Sequence, residues 1–251
     1  MPDATQSTGR IGLASASVLA AGVALGLGLA GFLVGQGVER FRTADRVITV
    51  KGLAEQDVPA DYAIWTLSFR RADNNFEAVQ KALAADRDHV MAFLKAQGIN
   101  DDELDVRPLQ VQDAFAREYA QSGQPLRFGG AGRVVVKSAR IDVVDKAARA
   151  TDPLIQSGVQ LGSDSDGGSG LPRYQLRGFN AAKADLLAEA TKNAREQAEK
   201  FAAQAGAKLG RLKNANQGSI RVADDDGTDA DTGSTRSKRL RVVSTFEYAL
   251  D

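Results

Sequence analysis

The sequence contains no cysteine and only one histidine among 251 residues. Without cysteine there is no disulfide, no thiol nucleophile, no Cys-rich metal site and no lipid carried on sulfur. A cysteine-free chain fits a reducing or an oxidising compartment equally. With a single histidine, the usual zinc ligand sets cannot be assembled, and any Ser-His triad would have to use that one residue. His89 falls on the polar side of a predicted helix beside Asp86 and Asp88, with no nucleophile motif in company, and reads as a surface residue. A surplus of charge of either sign is missing too. Lys+Arg and Asp+Glu both number 32, whereas nucleic-acid-binding chains carry a basic excess, so no nucleic-acid partner is expected.

Charge is missing most completely from Ile11 to Val38, which reads "IGLASASVLAAGVALGLGLAGFLVGQGV". About 20 apolar residues cross a bilayer as a helix, and this run is longer. A cleaved signal peptide is the competing reading, since its apolar core is about 7–15 residues and ends in a small-residue site. Ala20-Ala21-Gly22 is the nearest approach to such a site. Length favours an uncleaved anchor. Gly26, Gly28 and Gly31 fit G-x-G-x-x-G, but the dinucleotide fingerprint needs a preceding strand and a βαβ unit, so the match is accidental. Gly22/Gly26 and Gly31/Gly35 have the spacing that lets membrane helices approach closely. Arg10 precedes the run while Arg40, Arg42 and Arg46 follow it. Counted alone, those arginines would hold the C-terminal part in the cytoplasm.

The remainder predicts one α+β module after a linker, giving a tail at 1–10, an anchor at 11–38, a linker at 39–46 and a domain at 47–251. Ala63, Trp65, Leu67 and Phe69 alternate with Ile64, Thr66, Ser68 and Arg70, the period-two pattern of a half-buried strand. A helix follows from about Asn75 to Gln97, with Phe76, Val79, Leu83, Val90 and Leu94 as its buried stripe and Gly98 as its stop. Pro108 marks an irregular edge strand, and "RVVVKSARI" is another strand. Asp142 is the predicted cap of a helix running to Gln156 through Pro153. Asn180 caps the longest helix, whose packed face is Phe179, Ala182, Leu186, Ala190, Ala194, Phe201 and Ala205. In the last strand Leu240, Val242, Phe246, Tyr248 and Leu250 share a face. The expected architecture is a mostly antiparallel or mixed sheet with about three packed helices, preceded by one transmembrane helix.

Motifs for chemistry are few. Asp224, Asp225, Asp226, Asp229 and Asp231 lack the spacing and glutamate of an EF-hand loop and read as a solvated loop. Gly129-Gly130-Ala131-Gly132 lacks the Lys-Ser/Thr of a P-loop. Arg236, Lys238, Arg239 and Arg241 read as charges guarding a wet sheet edge. Catalytic, cofactor-binding and metal-ligating residues are all assigned as none, and no cofactor is expected.

"KGLAEQDVPAD", Lys51 to Asp61, looks like a polar kink between two strands, with Pro59 fixing φ and Asp61 supporting a turn that folds the chain back. The longer stretch "VITVKGLAEQDVPADYAIWTLSF" resembles the opening of the SIMPL-domain family of bacterial envelope proteins, typified by a 26 kDa periplasmic immunogen. Val50-Lys51-Gly52 is similar to its V-x-G, and Pro59-Ala60-Asp61-Tyr62-Ala63 to its P-D-x-A-like turn, with one extra residue between proline and aspartate. "LKAQGINDDELDV" and "AAKADLLAEATKNAREQAEKFAAQAGAKLGRL" resemble two later junctions of the family, so the resemblance spans Val47 to Leu250. It implies a non-enzymatic, self-assembling protein of the inner membrane with its C-terminal domain in the periplasm, against the arginine count, and in some members a link to oxidative-stress tolerance. The alternative is an extracytoplasmic small-ligand binder or enzyme whose site forms only in the fold.

Overall fold

The computed structural model describes residues 22–35, 46–116, 126–162 and 170–251. Residues 22–35 form α1, with every side chain exposed. The rest of the expected 11–38 span lies outside the described residues. Among the described residues no helix is long and apolar enough to cross a membrane. The chain divides into two units, Met1–Gly52 with Thr191–Gln217 and Ser244–Asp251, and Leu53–Ala190 with Gly218–Val243.

In the second unit, alternation builds the sheet. β2 (Tyr62–Asp73) buries Ala63, Trp65, Leu67 and Phe69 on one face, as period two requires. β5 (Phe128–Ser138) buries Val134 and Val136 in the same way. The two pair antiparallel from Ala63 opposite Ser138 to Asp73 opposite Phe128. β3 (Leu104–Val106) and β4 (Gln110–Asp113) pair with β5, while β6 (Leu161–Gly162) and β7 (Arg173–Gln175) pair with β2, all antiparallel. Pro108 sits between β3 and β4, where the strand along β5 is interrupted, as expected of an edge. α2 (Phe76–Ala96), α3 (Ile141–Arg149) and α4 (Asp152–Gln156) share one apolar cluster with the inner faces of β2 and β5. Trp65 is buried there, its indole N–H donating to the Gly170 carbonyl at 2.7 Å.

The inner face needs two glycines. A Cβ on Gly132 would stand 2.2 Å from the Phe69 ring, and one on Gly130 would stand 2.6 Å from a Leu83 methyl. We expect Gly132→Ala to cost about 1–3 kcal/mol of overpacking, read as a lowered urea midpoint. A midpoint equal to that of the parent chain would refute this account.

Chain ends of the helices follow their capping chemistry. Asn75 accepts from the Glu77 and Ala78 amides at 2.8 and 3.3 Å and so caps α2. Gly98 and Gly158 end α2 and α4 at φ +85°, a conformation that glycine adopts without a Cβ penalty. The amides of Ile99 and Val159 then return to the carbonyls of Leu94 and Leu154 at 3.0 Å. The predicted helix from Asp142 to Gln156 is instead two helices. α3 ends at Arg149 and α4 restarts with Pro153 in its first turn, where a missing N–H costs nothing. Asp142 does not cap α3; it lies in the first turn and pairs with Arg236. Phe76, placed in the buried stripe of α2, is exposed.

The same unit holds part of a second sheet. β1 (Val47–Pro59) passes through the supposed kink without a break, burying Val50, Gly52 and Ala54 while Lys51, Glu55 and Asp57 face outward. The polar residues are the wet half of a strand. β1 pairs with β10 (Ser237–Leu250), not with β2, so the chain changes sheets at Ala60–Asp61. Asp61 accepts the Arg177 and Gly178 amides at 2.7 and 2.6 Å, just before α5 (Asn180–Gln204) begins. β9 (Ile220–Asp224) pairs antiparallel with β10 from Lys238 opposite Asp224 to Val242 opposite Ile220. Ala54, Leu186, Ala190, Leu240 and Val242 form its core.

In the first unit, β8 (Leu209–Asn216) pairs antiparallel with the end of β10, from Thr245 opposite Asn216 to Leu250 opposite Leu209. Val50, Ala194, Ala198, Phe246 and Tyr248 make a second small core. The buried ridge of α5 is Leu186, Ala190, Ala194, Ala198 and Ala202, a strict i+4 row, and Phe201 is exposed. Small side chains on that row let the helix lie close to its strands. β10 lies between β1 and β8 in the strand order, so it is not the edge its charges suggested. The fold is α+β with antiparallel sheets and five helices among the described residues.

Candidate functional site

Strand alternation that buries one face of β2 and β5 turns the other face outward. Thr66, Ser68, Arg70 and Ala72 stand opposite Val135, Arg133, Ala131 and Gly129 on that face. β4 adds Gln110 and Gln112 opposite Ala131 and Gly129. These residues, with Arg107, Pro108, Leu126, Phe128 and Gln160, line a cleft of about 1230 Å³. Small residues keep its floor open: a Cβ on Gly129 would meet nothing within 4 Å.

Among the described residues, the ionisable side chains of the lining are arginines at 70, 71, 107 and 133. Arg71 is turned toward α2, donating to Asp86 at 2.6 Å through two nitrogens and to the Gly158 carbonyl at 2.6 Å. Arg107 pairs with Asp105 at 2.9 Å. Arg70 lies across β6, its Nε 3.4 Å from where a Gly162 Cβ would be. Ser68 has Gly162 on one side and Arg133 on the other. Its side chain is buried, and its Oγ has no hydrogen-bond partner. A buried hydroxyl left so costs about 1–3 kcal/mol. Arginine stays protonated and offers a fixed fork of donors. The cleft is equipped to hold an anion in place.

Other ionisable clusters serve the fold. The Glu103 carboxylate receives Arg140, Ser138 and the Asn100 amide. The Arg140 bond chiefly, with those from Ser138 and Asn100 against the opposing effect of burial, draws its pKa down to about 2. A depressed carboxylate stabilises the fold above its unfolded value, and that contribution is lost as pH falls toward 2. We expect Glu103→Gln to narrow the stability gap to the parent between pH 4.5 and 2; a gap independent of pH would exclude this linkage. Tyr174 donates to Asp145 at 2.7 Å, and burial, then that bond, pushes its phenol up to about 12. A phenol so held does not act as a base near neutral pH.

The sequence candidates resolve as follows. His89 is exposed on α2. Gly129 to Gly132 belong to β5, not to a phosphate loop. Among the described residues no group of three or more His, Asp or Glu gathers as a metal site. Two readings are overturned at the Asp-rich loop. Asp224 is fully buried, not solvated, and accepts from Thr232, Thr235 and Lys238. Lys238 is fully buried with it and reaches Asp231 at 2.8 Å. Arg239 and Arg241 pair with Asp57 and Glu55 of β1 at 3.2 and 3.3 Å. These charges tie strands together within a sheet.

The family model for SIMPL, described as a protein of unknown function (DUF541), matches residues 48–244. The chain belongs to the SIMPL family. Its matched region takes in every strand that lines the cleft and the paired residues of β9 and β10. No curated protein matches the sequence. Among solved structures, the regulatory subunit of aspartate kinase from Thermus flavus aligns over 78% of this chain and 89% of its own at 14% identity, with a TM-score of 0.18. A superposition that poor says nothing about this SIMPL domain. The SIMPL cleft itself was missed in the sequence; its signal was the polar half of β2, Thr66, Ser68 and Arg70, passed over as an ordinary wet face.

Proposed function

We propose that this SIMPL protein is a non-enzymatic component of the bacterial envelope, tethered in the inner membrane by residues 11–38, with residues 47–251 in the periplasm. The observation that carries the reading is the uncharged run, whose described part, α1, exposes Val23, Leu25, Leu27, Leu29, Phe32, Leu33 and Val34. A helix apolar all round belongs in a protein core or in lipid. At ~1.5 Å per residue α1 alone falls short of the ~30 Å hydrocarbon thickness, so the reading rests on the length of the uncharged sequence from Ile11 to Val38. The linked tolerance of oxidative stress rests on the family resemblance. A non-catalytic role is supported by a cleft whose charged groups, among the described residues, are arginines, which do not exchange protons near neutral pH.

Self-assembly belongs to the same reading. The tether confines copies to a plane and raises their effective concentration. β8 exposes residues 211–216, and open strand edges recruit neighbours. The expected result is that a reporter active only outside the cytoplasm, fused after Asp251, gives signal. Removal of residues 1–38 should leave a soluble, folded domain that light scattering finds larger than one chain. A silent fusion overturns the orientation, and a concentration-independent mass of one chain overturns assembly through the domain.

A further inference from the structure

We propose that the cleft on the open face of β2 and β5 binds an amphipathic organic oxyanion, a carboxylate or phosphate ester attached to an apolar body. Three independent features of the cleft converge on that class.

The first is charge. Arg70, Arg107 and Arg133 line the cleft, and among the described lining residues there is no carboxylate; the guanidinium fork matches carboxylate and phosphate oxygens in pairs. The Arg107 partner, Asp105, stands in a pair whose side chains are 55% and 32% exposed. Such surface pairs are weak, so a ligand oxyanion can take the place of Asp105.

The second is the Ser68 hydroxyl. It is on the cleft face by strand parity, directly opposite Arg133 and two residues before Arg70. That places the hydroxyl beside Arg133 across the strand pair, with Arg70 about 7 Å further along β2 at ~3.3 Å per residue. It is 95% withdrawn from solvent and makes no hydrogen bond. Buried polar atoms in native proteins nearly always have a partner, and an oxyanion held by the arginines would supply this one.

The third is the apolar wall. Pro108 and Leu126 stand on the β4 side of the same cleft, with Leu126 37% exposed; the Phe128 ring is turned to the other face, against Phe76. A volume near 1230 Å³ exceeds what inorganic phosphate fills and suits a ligand of drug size or larger. A few fixed polar groups beside apolar lining is the usual make-up of a small-molecule site. The inference is independent of membrane orientation and of assembly.

The test uses the full-length protein in nanodiscs of zwitterionic lipid, titrated by calorimetry against empty discs. Two probes, 2-naphthyl phosphate and 1-naphthoate, carry the two oxyanions on similar bodies, and 2-naphthol is the uncharged control. We expect saturable one-site binding of at least one anionic probe, weakening with added salt, at least tenfold tighter than 2-naphthol. Which of the two binds more tightly identifies the headgroup as phosphate or carboxylate. Arg70→Gln with Arg133→Gln should weaken binding tenfold or more. Ser68→Ala should weaken it several-fold while leaving the melting temperature unchanged or raised, because the variant removes an unpaired hydroxyl. A purely structural serine would give the opposite split. The proposal is overturned if neither anion binds above empty discs, if 2-naphthol binds as tightly, or if the double arginine variant stays within twofold of the parent.

Discussion

Replacement of Asp224 by alanine is expected to destabilise the SIMPL domain by about 3–5 kcal/mol, the usual cost of breaking a buried ion pair on one side. Both side chains of the Asp224–Lys238 pair are wholly withdrawn from solvent. Without Asp224, the Lys238 ammonium keeps only Asp231, whose side chain is 33% exposed. The hydroxyl and amide of Thr232, at 2.6 and 2.8 Å from Asp224, lose their acceptor, as do those of Ser234 and the amide of Thr235. One carboxylate therefore closes the whole 224–237 loop. Lys238→Met should also destabilise, yet the pair Asp224→Asn with Lys238→Met should cost less than the sum of the single changes, since neither leaves a charge stranded. Burial works to raise the Asp224 pKa, but the bonds from Lys238, Thr232 and Thr235 outweigh it and hold it well below the carboxylate range. The stabilisation is then full above the unfolded value of about 3.9 and is lost as pH falls below it. Urea unfolding at pH 7 and at pH 3 would show a wide gap between parent and Asp224→Ala that narrows in acid. A gap under 1 kcal/mol at pH 7 would remove the pair from any central role.

Period-two strands and glycine-capped helices were legible in the sequence because each depends on neighbours a few residues away. Trp65 and Val136 announced their burial through alternation, and Gly98, Gly158 and Gly206 announced helix ends through the one conformation that glycine takes most easily. The third of these, at φ +70°, is followed by the same return bond, from the Ala207 amide to the Ala202 carbonyl at 2.9 Å. What was not legible depended on pairing between distant segments. The polarity of Glu55 and Asp57 looked like a broken strand because their partners, Arg241 and Arg239, lie more than 180 residues on. Lys238 looked wet because a lone lysine in a strand usually is, and only the return of β9 beside β10 brings Asp224 against it. The cleft was invisible for a similar reason. Thr66, Ser68 and Arg70 are unremarkable in β2 alone and become a surface of one charge sign only when Arg133 and Arg107 are set beside them. Phe201 misled in the other direction: apolar residues at loose helical spacing predicted its burial, whereas the i+4 row from Leu186 to Ala202 leaves it outside.

Arg71→Met is expected to cost more than Asp86→Ala, although each deletes the same ion pair. The two partners differ in burial, the Asp86 side chain being 3% exposed and that of Arg71 26%. Removing the arginine leaves a carboxylate on the inner side of α2, close in sequence to buried Leu83 and Val90. It also takes a donor from the Gly158 carbonyl at the end of α4. A stranded buried charge costs about 3–5 kcal/mol. Removing the aspartate strands nothing comparable. Arg71 stays charged, as arginine does in proteins generally, and it can turn its exposed quarter to water while keeping the Gly158 carbonyl. That change should cost about 1–2 kcal/mol, the scale of lost charge-assisted hydrogen bonds. With both changes together no charge remains buried, and the double variant should be more stable than Arg71→Met alone. Paired denaturant curves for the three variants decide the matter. Equal costs for the two single changes, or a double variant less stable than Arg71→Met, would mean that the asymmetry of burial does not govern this contact between β2 and α2.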